Sequence, residues 1–321
     1  MSKSINRRRA IQLIAVGAGL PPAISLWDYF SNSKPAQFDW QGRALGIRAS
    51  MHIRHSDQNK AAKIVALSLQ ELDRLERIFS LYRPDSELVA LNRDGTLPHP
   101  SPELRQVLEE SMRISELSNG AFDVTVQPLW DCHQNYHADG VAADKAAIEN
   151  ALRLVDYRKL EISASQIRLP VKGMAITLNG IAQGYITDRI ADLMQNSGLD
   201  QVLVQLGEIH GRAPEHRPWR IGLEGLDDQF NLTTGAVATS SGSGTMFSGT
   251  ANHLLNPING TSPGHYKSVS IIAARAMTAD AVSTAIYTAP KSLSPRISTA
   301  SGILGYVLEH ADGHIERRSF G

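Results

Sequence analysis

A chain of 321 residues, 42% hydrophobic and 20% charged, can bury a full core, which excludes a disordered tail and leaves one large domain or two intimate ones. Its 32 basic and 32 acidic residues balance; the basic ones cluster only at the N-terminus, which argues against a nucleic-acid groove or an acidic polymer partner. Cys132 is the single cysteine, so neither an internal disulfide nor a lipoprotein attachment site near the N-terminus is available.

The N-terminal cluster has its own reading. Asn6 to Gln12, NRRRAIQ, precedes an apolar stretch from Leu13 to Leu20 and then Pro21-Pro22, the layout of a charged n-region and a short h-region. Consecutive arginines point to the twin-arginine route and a periplasmic destination. The apolar run is shorter than the roughly 20 residues that span a bilayer. Residues 1–30 are therefore read as an export signal, 31–43 as a polar linker, and 44–321 as one domain. No clean A-x-A site stands near Ser25, so cleavage and retention as a membrane anchor both stay open.

Past the linker, Ala44 to Ile53 alternates as a strand, and Lys60 to Phe79 spaces Ala, Leu and Ile as a helix does. Leu104 to Leu117 repeats the helical pattern after the Ser101-Pro102 start signal. Gly184 to Ser197 is a third amphipathic helix, closing at Gly198. Gln201 to Leu206, Trp219 to Leu223, Lys267 to Ala273 and Ile303 to His310 read as strands. Strands and helices do not alternate regularly enough for a doubly wound sheet, so the fold class is α+β, with mixed, largely antiparallel sheets and packed helices.

Several motifs point away from chemistry. HQNYH, His133 to His137, imitates a zinc helix, but Gln134 stands where the general-base glutamate belongs and no third ligand follows. SSGSGTMF, Ser240 to Phe247, lacks the last glycine of a phosphate loop and reads as a flexible surface loop. No G-x-S-x-G elbow is present. NLTTGAV, Asn231 to Val237, reads as a turn leading into a strand.

Seven blocks remain. SLYRPDSELVALN, Ser80 to Asn92, offers the Tyr82 ring beside a Pro-Asp turn and a helix start at Ser86 and Glu87. GAFDVTVQPLW, Gly120 to Trp130, supplies Phe122, Asp123 and Thr125, then a Pro expected to end a strand. LNGIAQGYITD, Leu178 to Asp188, opens a helix whose first turn can present amides to a phosphate. VQLGEIHG, Val204 to Gly211, places Glu208 just after a strand, where a carboxylate could grip a ribose or a ring nitrogen. TSSG, Thr239 to Gly242, adds hydroxyls, and HLLNPING, His253 to Gly260, a histidine before an apolar pair. In AMTADAVSTA, Ala276 to Ala285, helical geometry puts Asp280 and Thr284 on one face. Two hard oxygens four residues apart can share a small divalent cation, and an N-cap with a polar first turn explains them equally well.

In this order the blocks resemble those of the ApbE family, the FAD:protein FMN transferases, from about Leu45 to Ala285. The resemblance implies one cleft that takes FAD as substrate, lined by Leu45, Tyr82, Ser86, Gly120, Ala121, Phe122, Asp123, Thr125, Gly180, Gln183, Asp188, Glu208, Thr239 and Ser240. It implies Mg²⁺, or Mn²⁺, held by Asp280, Thr284 and the backbone carbonyl of Ala182. It implies His253 as general base for a Thr or Ser hydroxyl of an acceptor carrying D-x-x-[ST]-G-A-T, a membrane flavoprotein, with AMP released. The chain departs from the pattern at Leu45-Gly46-Ile47 for M-G-T, Gln183 for a lysine, Leu206-Gly207-Glu208-Ile209 for L-G-G-D, and Pro257-Ile258-Asn259-Gly260 for the P-x-T-G end of the histidine block. These departures keep two other functions open: a periplasmic FAD-binding protein without transferase activity, and a metal-dependent FAD pyrophosphatase giving FMN and AMP.

Overall fold

The computed structural model describes residues 36–44, 47–223, 229–247, 251–300 and 302–319. The proposed export signal, residues 31–35 of the linker, and Leu45 lie outside these. Residues from Ala36 onward form one compact unit.

Its frame is an eight-stranded sheet in which every neighbouring pair is antiparallel. In spatial order the strands are β1 (Gln37–Ala44), β2 (Ile47–Arg54), β6 (Val202–Gln205), β7 (Ile209–Arg212), β10 (Thr234–Ser241), β11 (Tyr266–Ala273), β12 (Ile303–His310) and β13 (Ile315–Ser319). A three-stranded sheet joins β3 (Thr96–Pro98), β4 (Glu161–Ile162) and β5 (Gln166–Arg168), and a hairpin joins β8 (Trp219–Gly222) to β9 (Gln229–Leu232). The α+β class expected from the sequence holds.

Residues 37–43, assigned from the sequence to the linker, are strand. Phe38 and Trp40 alternate with polar residues and pair with Ile53 and Met51, and both rings pack on the core. Two aromatic residues at period 2 outweigh the polar composition between them.

Alternate residues of the long strands serve different cores. Val269, Ile271 and Ala273 of β11 face the main core, whereas Ile272 turns to a second cluster with Trp219, Ile221, Leu232 and Val237. Against the main face pack α1 (Gln58–Phe79), α6 (Ala182–Asn196) and α7 (Ala276–Thr288). Asp57 caps α1 by accepting the Lys60 N–H, and Gly198, at φ +80°, follows the last turn of α6 as the sequence indicates. The other helices are α2 (Glu87–Asp94), α3 (Pro102–Leu117), α4 (Gln127–Ala138), α5 (Lys145–Leu152) and the short α8 (Ser294–Ile297). Among the described residues no helix is long and apolar enough to cross a membrane.

Candidate active site

The site is built on the crossing of α6 and α7. Neither helix has a side-chain N-cap of its own, and each is capped by the other. Asp280 of α7 accepts the Gly184 N–H of α6 at 3.0 Å, while Asp188 of α6 accepts the Ala276 and Met277 N–H groups at 2.8 and 3.0 Å. Carboxylates at helix N-termini gain from both the orphan amides and the macrodipole. Asp188 is completed by His210 Nδ1 at 2.6 Å and Arg275 Nε at 3.2 Å. Both oxygens of Asp188 therefore meet protein donors, and the carboxylate holds the first turn of α7 in place. The Gly184 amide is likewise taken by Asp280, so it is not free for a phosphate.

Oxygen donors gather where the two helices meet. Thr284, half-buried, lies one turn beyond Asp280. Its Oγ1 is 3.1 Å from Ser240 Oγ of β10, which is 2.8 Å from Ser283 Oγ. Gly180 sits so close that a Cβ there would lie 3.0 Å from Thr284 Oγ1 and 3.4 Å from Phe122. Ala182 falls between the Gly180–Thr284 and Gly184–Asp280 contacts. Burial pushes the Asp280 carboxyl up to about 7, and burial together with the nearby Asp280 holds that of Glu208 well above the carboxylate range. Glu208 stands on the β6–β7 turn, near the Thr239 N–H; the Thr239 hydroxyl is turned to Ser270 at 2.8 Å. Buried carboxylates beside hydroxyl oxygens are the donor set that a hard divalent cation takes. The residues present therefore fit Mg²⁺ or Mn²⁺.

The far half of α7 holds the histidine segment. Asn256 Nδ2 donates to the Thr288 carbonyl at 2.8 Å, and Asn252 Nδ2 reaches the Tyr287 hydroxyl at 3.4 Å. His253 Nδ1 lies 3.3 Å from the Thr245 carbonyl. A carbonyl only accepts, so this contact selects the Nδ1–H tautomer and leaves Nε2 as a base. Burial holds the ring below its ordinary pKa of 6.5. Of residues 240–247, expected to be a flexible surface loop, Ser240 and Ser241 end β10, residues 243–246 are exposed and Phe247 is buried, and the glycines among them lie against this segment. A Cβ on Gly244 would lie 2.6 Å from the His253 ring, and one on Gly242 would lie 2.5 Å from the Tyr287 hydroxyl. The glycines are there for close approach, a signal the sequence carried but which composition alone read as looseness.

Tyr82, 83% exposed, stands at the lip of a cleft of about 490 Å³ that it lines with Trp130, Gln127 and Asn179. Asn179, the residue before Gly180, is the part of its lining nearest in sequence to the oxygen cluster. Other expected site residues are turned inward. Ser86 caps α2 through the Val89 N–H and donates to the Ser80 carbonyl. Asp123 accepts the Thr125 N–H and hydroxyl and the Tyr157 N–H, and Thr125 Oγ1 accepts the Asp156 N–H. The polar atoms of these three residues have protein partners. Ala121 accepts the Thr288 hydroxyl at 2.6 Å, and Gly120, at φ +81°, lines a separate hollow with Asp156, Tyr157 and Pro257. Pro128 does not end a strand: Val124–Val126 is a 3₁₀ turn and Pro128 sits in the first turn of α4, where its missing N–H costs nothing. His133 on α4 stacks on Phe247 and meets the Gly260 carbonyl at 3.0 Å.

A family model described as the ApbE family matches residues 45–303. The chain is 25% identical over 291 residues to a FAD:protein FMN transferase of Klebsiella pneumoniae (strain 342), covering 83% of each protein. It is 29% identical over 283 residues to one of Treponema pallidum (strain Nichols), covering 76% of each. Among solved structures it is similar to the apbe protein of Thermotoga maritima MSB8, with a TM-score of 0.77 and 25% identity, over 88% of this chain and 97% of that one.

Proposed function

The chain belongs to the ApbE family and is an enzyme of flavin transfer, and from that premise we propose that it moves FMN from FAD to a Thr or Ser hydroxyl of an acceptor flavoprotein in a Mg²⁺-dependent reaction. The observation that carries this reading is the convergence on one helix, α7, of a hard-oxygen cluster at one end and the His253 segment at the other. The acceptor is a protein with a D-x-x-[ST]-G-A-T segment on the periplasmic side of the membrane, reached after twin-arginine export.

In this scheme the acceptor hydroxyl attacks the FMN phosphorus, its proton passes to His253 Nε2, and the P–O bond to AMP breaks. Asp280, Thr284 and the Ala182 carbonyl would hold Mg²⁺, with Mn²⁺ meeting the same donor requirements. When bound, the cation spreads the charge that develops on the phosphate oxygens. Tyr82 and Trp130 offer ring faces in the adjoining cleft. Gly180 packs close to Thr284, whose hydroxyl meets Ser240.

Purified protein incubated with FAD, Mg²⁺ and an acceptor carrying that segment is expected to give covalent flavin fluorescence on a denaturing gel and one AMP per flavin. AMP without acceptor would favour a pyrophosphatase, and bound FAD without AMP a binding protein. His253→Ala is expected to retain FAD binding and lose transfer by about a hundredfold or more. Because burial lowers the His253 pKa, the neutral base persists through pH 7. The wild-type rate should fall only below pH 6.5, about tenfold per unit once the ring is protonated. An acid limb that survives His253→Ala would assign that proton to another group.

A further inference from the structure

Two carboxylates of the cation site are withdrawn from water without a basic partner. Asp280 is 4% and Glu208 8% exposed; Asp280 accepts the Gly184 N–H, and Glu208 lies near that of Thr239. The basic groups of the neighbourhood are used elsewhere: His210 pairs with Asp188, and Arg275 with Asp188 and Asp192. Among the described residues neither carboxylate has a Lys, Arg or His nitrogen within 4.0 Å. Two buried carboxyl groups with no protein counter-charge are strongly unfavourable as anions, and once ionised they match the charge of one divalent cation.

Position 183 bears on the same balance. Gln183 lies in the first turn of α6, and its amide oxygen would be 2.8 Å from a Cβ placed on Gly207, the residue before Glu208. A neutral side chain therefore covers the turn that carries the second carboxylate. We propose that Glu208 is the charge-setting carboxylate of the Asp280–Thr284 cation site, raising its affinity for a divalent ion through space, and that the neutrality of Gln183 leaves Glu208 to be balanced by that ion. The inference rests on the cation site argued above. It replaces the sequence-based expectation that Glu208 grips a ribose or a ring nitrogen.

The test is Mg²⁺ binding to the metal-free full chain, followed by calorimetric titration and by thermal shift, with neither flavin nor acceptor present. Glu208→Gln keeps the shape and an oxygen acceptor while removing the charge. It is expected to weaken Mg²⁺ binding roughly tenfold or more by removing one charge at short range. The metal-free variant should melt no lower than wild type, with a smaller gain on adding Mg²⁺. Gln183→Lys sets an ammonium over Gly207 and should weaken Mg²⁺ binding with Glu208 intact, a readout that does not depend on altering the buried residue. Unchanged affinity in both variants overturns the proposal, as does a lower melting temperature of Glu208→Gln with wild-type affinity, which would make Glu208 a packing residue. A wild-type protein that takes up no Mg²⁺ at millimolar concentration would remove the cation site itself, whereas wild-type binding with indifferent variants removes Glu208 alone.

Discussion

Asp280→Asn is expected to slow flavin transfer by about a hundredfold or more while the protein stays folded, since a cation on developing phosphate charge is worth several kcal/mol. The amide oxygen of Asn accepts the Gly184 N–H as the carboxylate does at 3.0 Å, so the crossing of α6 and α7 keeps its cap. What the variant loses is the charge. The pH dependence of the wild type separates that charge from the cap. Burial lifts the Asp280 carboxyl from 3.8 to about 7, so between those values the folded, metal-free protein holds a proton that the unfolded chain has released. Its stability then falls as pH rises through that window, and a bound cation offsets the loss by pairing with the carboxylate. The melting-temperature gain from Mg²⁺ should therefore be small at about pH 5.5 and larger at about pH 8 in the wild type, and slight at both in Asp280→Asn. Transfer rates and melting curves on the two proteins check this. A Mg²⁺ gain in the variant equal to that of the wild type would take Asp280 out of the cation site.

Local patterns in the sequence located the elements better than the roles. The helix over Lys60 to Phe79, the strand Ile303 to His310 and the close at Gly198 were legible because each is written in a few neighbouring residues. The pairing of Asp280 with Thr284 on one face was legible for the same reason. Strand β10 was not, because Thr-Gly-Ala-Val-Ala-Thr-Ser-Ser carries few large residues and is held as a strand by β7 and β11 on either side. The inward turn of Asp123, Thr125 and Asp188 was hidden as well, because only partners supplied from distant segments show where their hydrogen bonds go. Ser86, which caps its own helix, was legible as a helix start. Asn252 and Asn256 were missed for the converse reason, since an asparagine that ties a loop to a helix some 30 residues away has no local signature.

Gly184→Ala is expected to cost about 3 kcal/mol of stability, since an added methyl has nowhere to go in this crossing. A Cβ at position 184 would lie 2.3 Å from the Ala276 carbonyl oxygen, 2.6 Å from its carbon and 2.7 Å from Met277 Cα. All three are backbone atoms of the first turn of α7, so no rotamer change relieves the overlap and the helices must part. Parting them stretches the Gly184–Asp280 bond and the two bonds from Asp188 to Ala276 and Met277 together, because the caps are reciprocal. Asp280 then moves relative to Ala182, and a displacement of about 1 Å in a positioned group is enough to lose about a hundredfold in rate. The variant should therefore melt several degrees lower, bind Mg²⁺ more weakly and transfer flavin far more slowly. Gly264→Ala, where an added Cβ meets nothing within 4 Å, should change none of these. If Gly184→Ala matched the wild type in melting temperature, the two helices would have to be farther apart than the reciprocal capping requires. The account of α7 as the shared mount of the cation site and the base would fall with it.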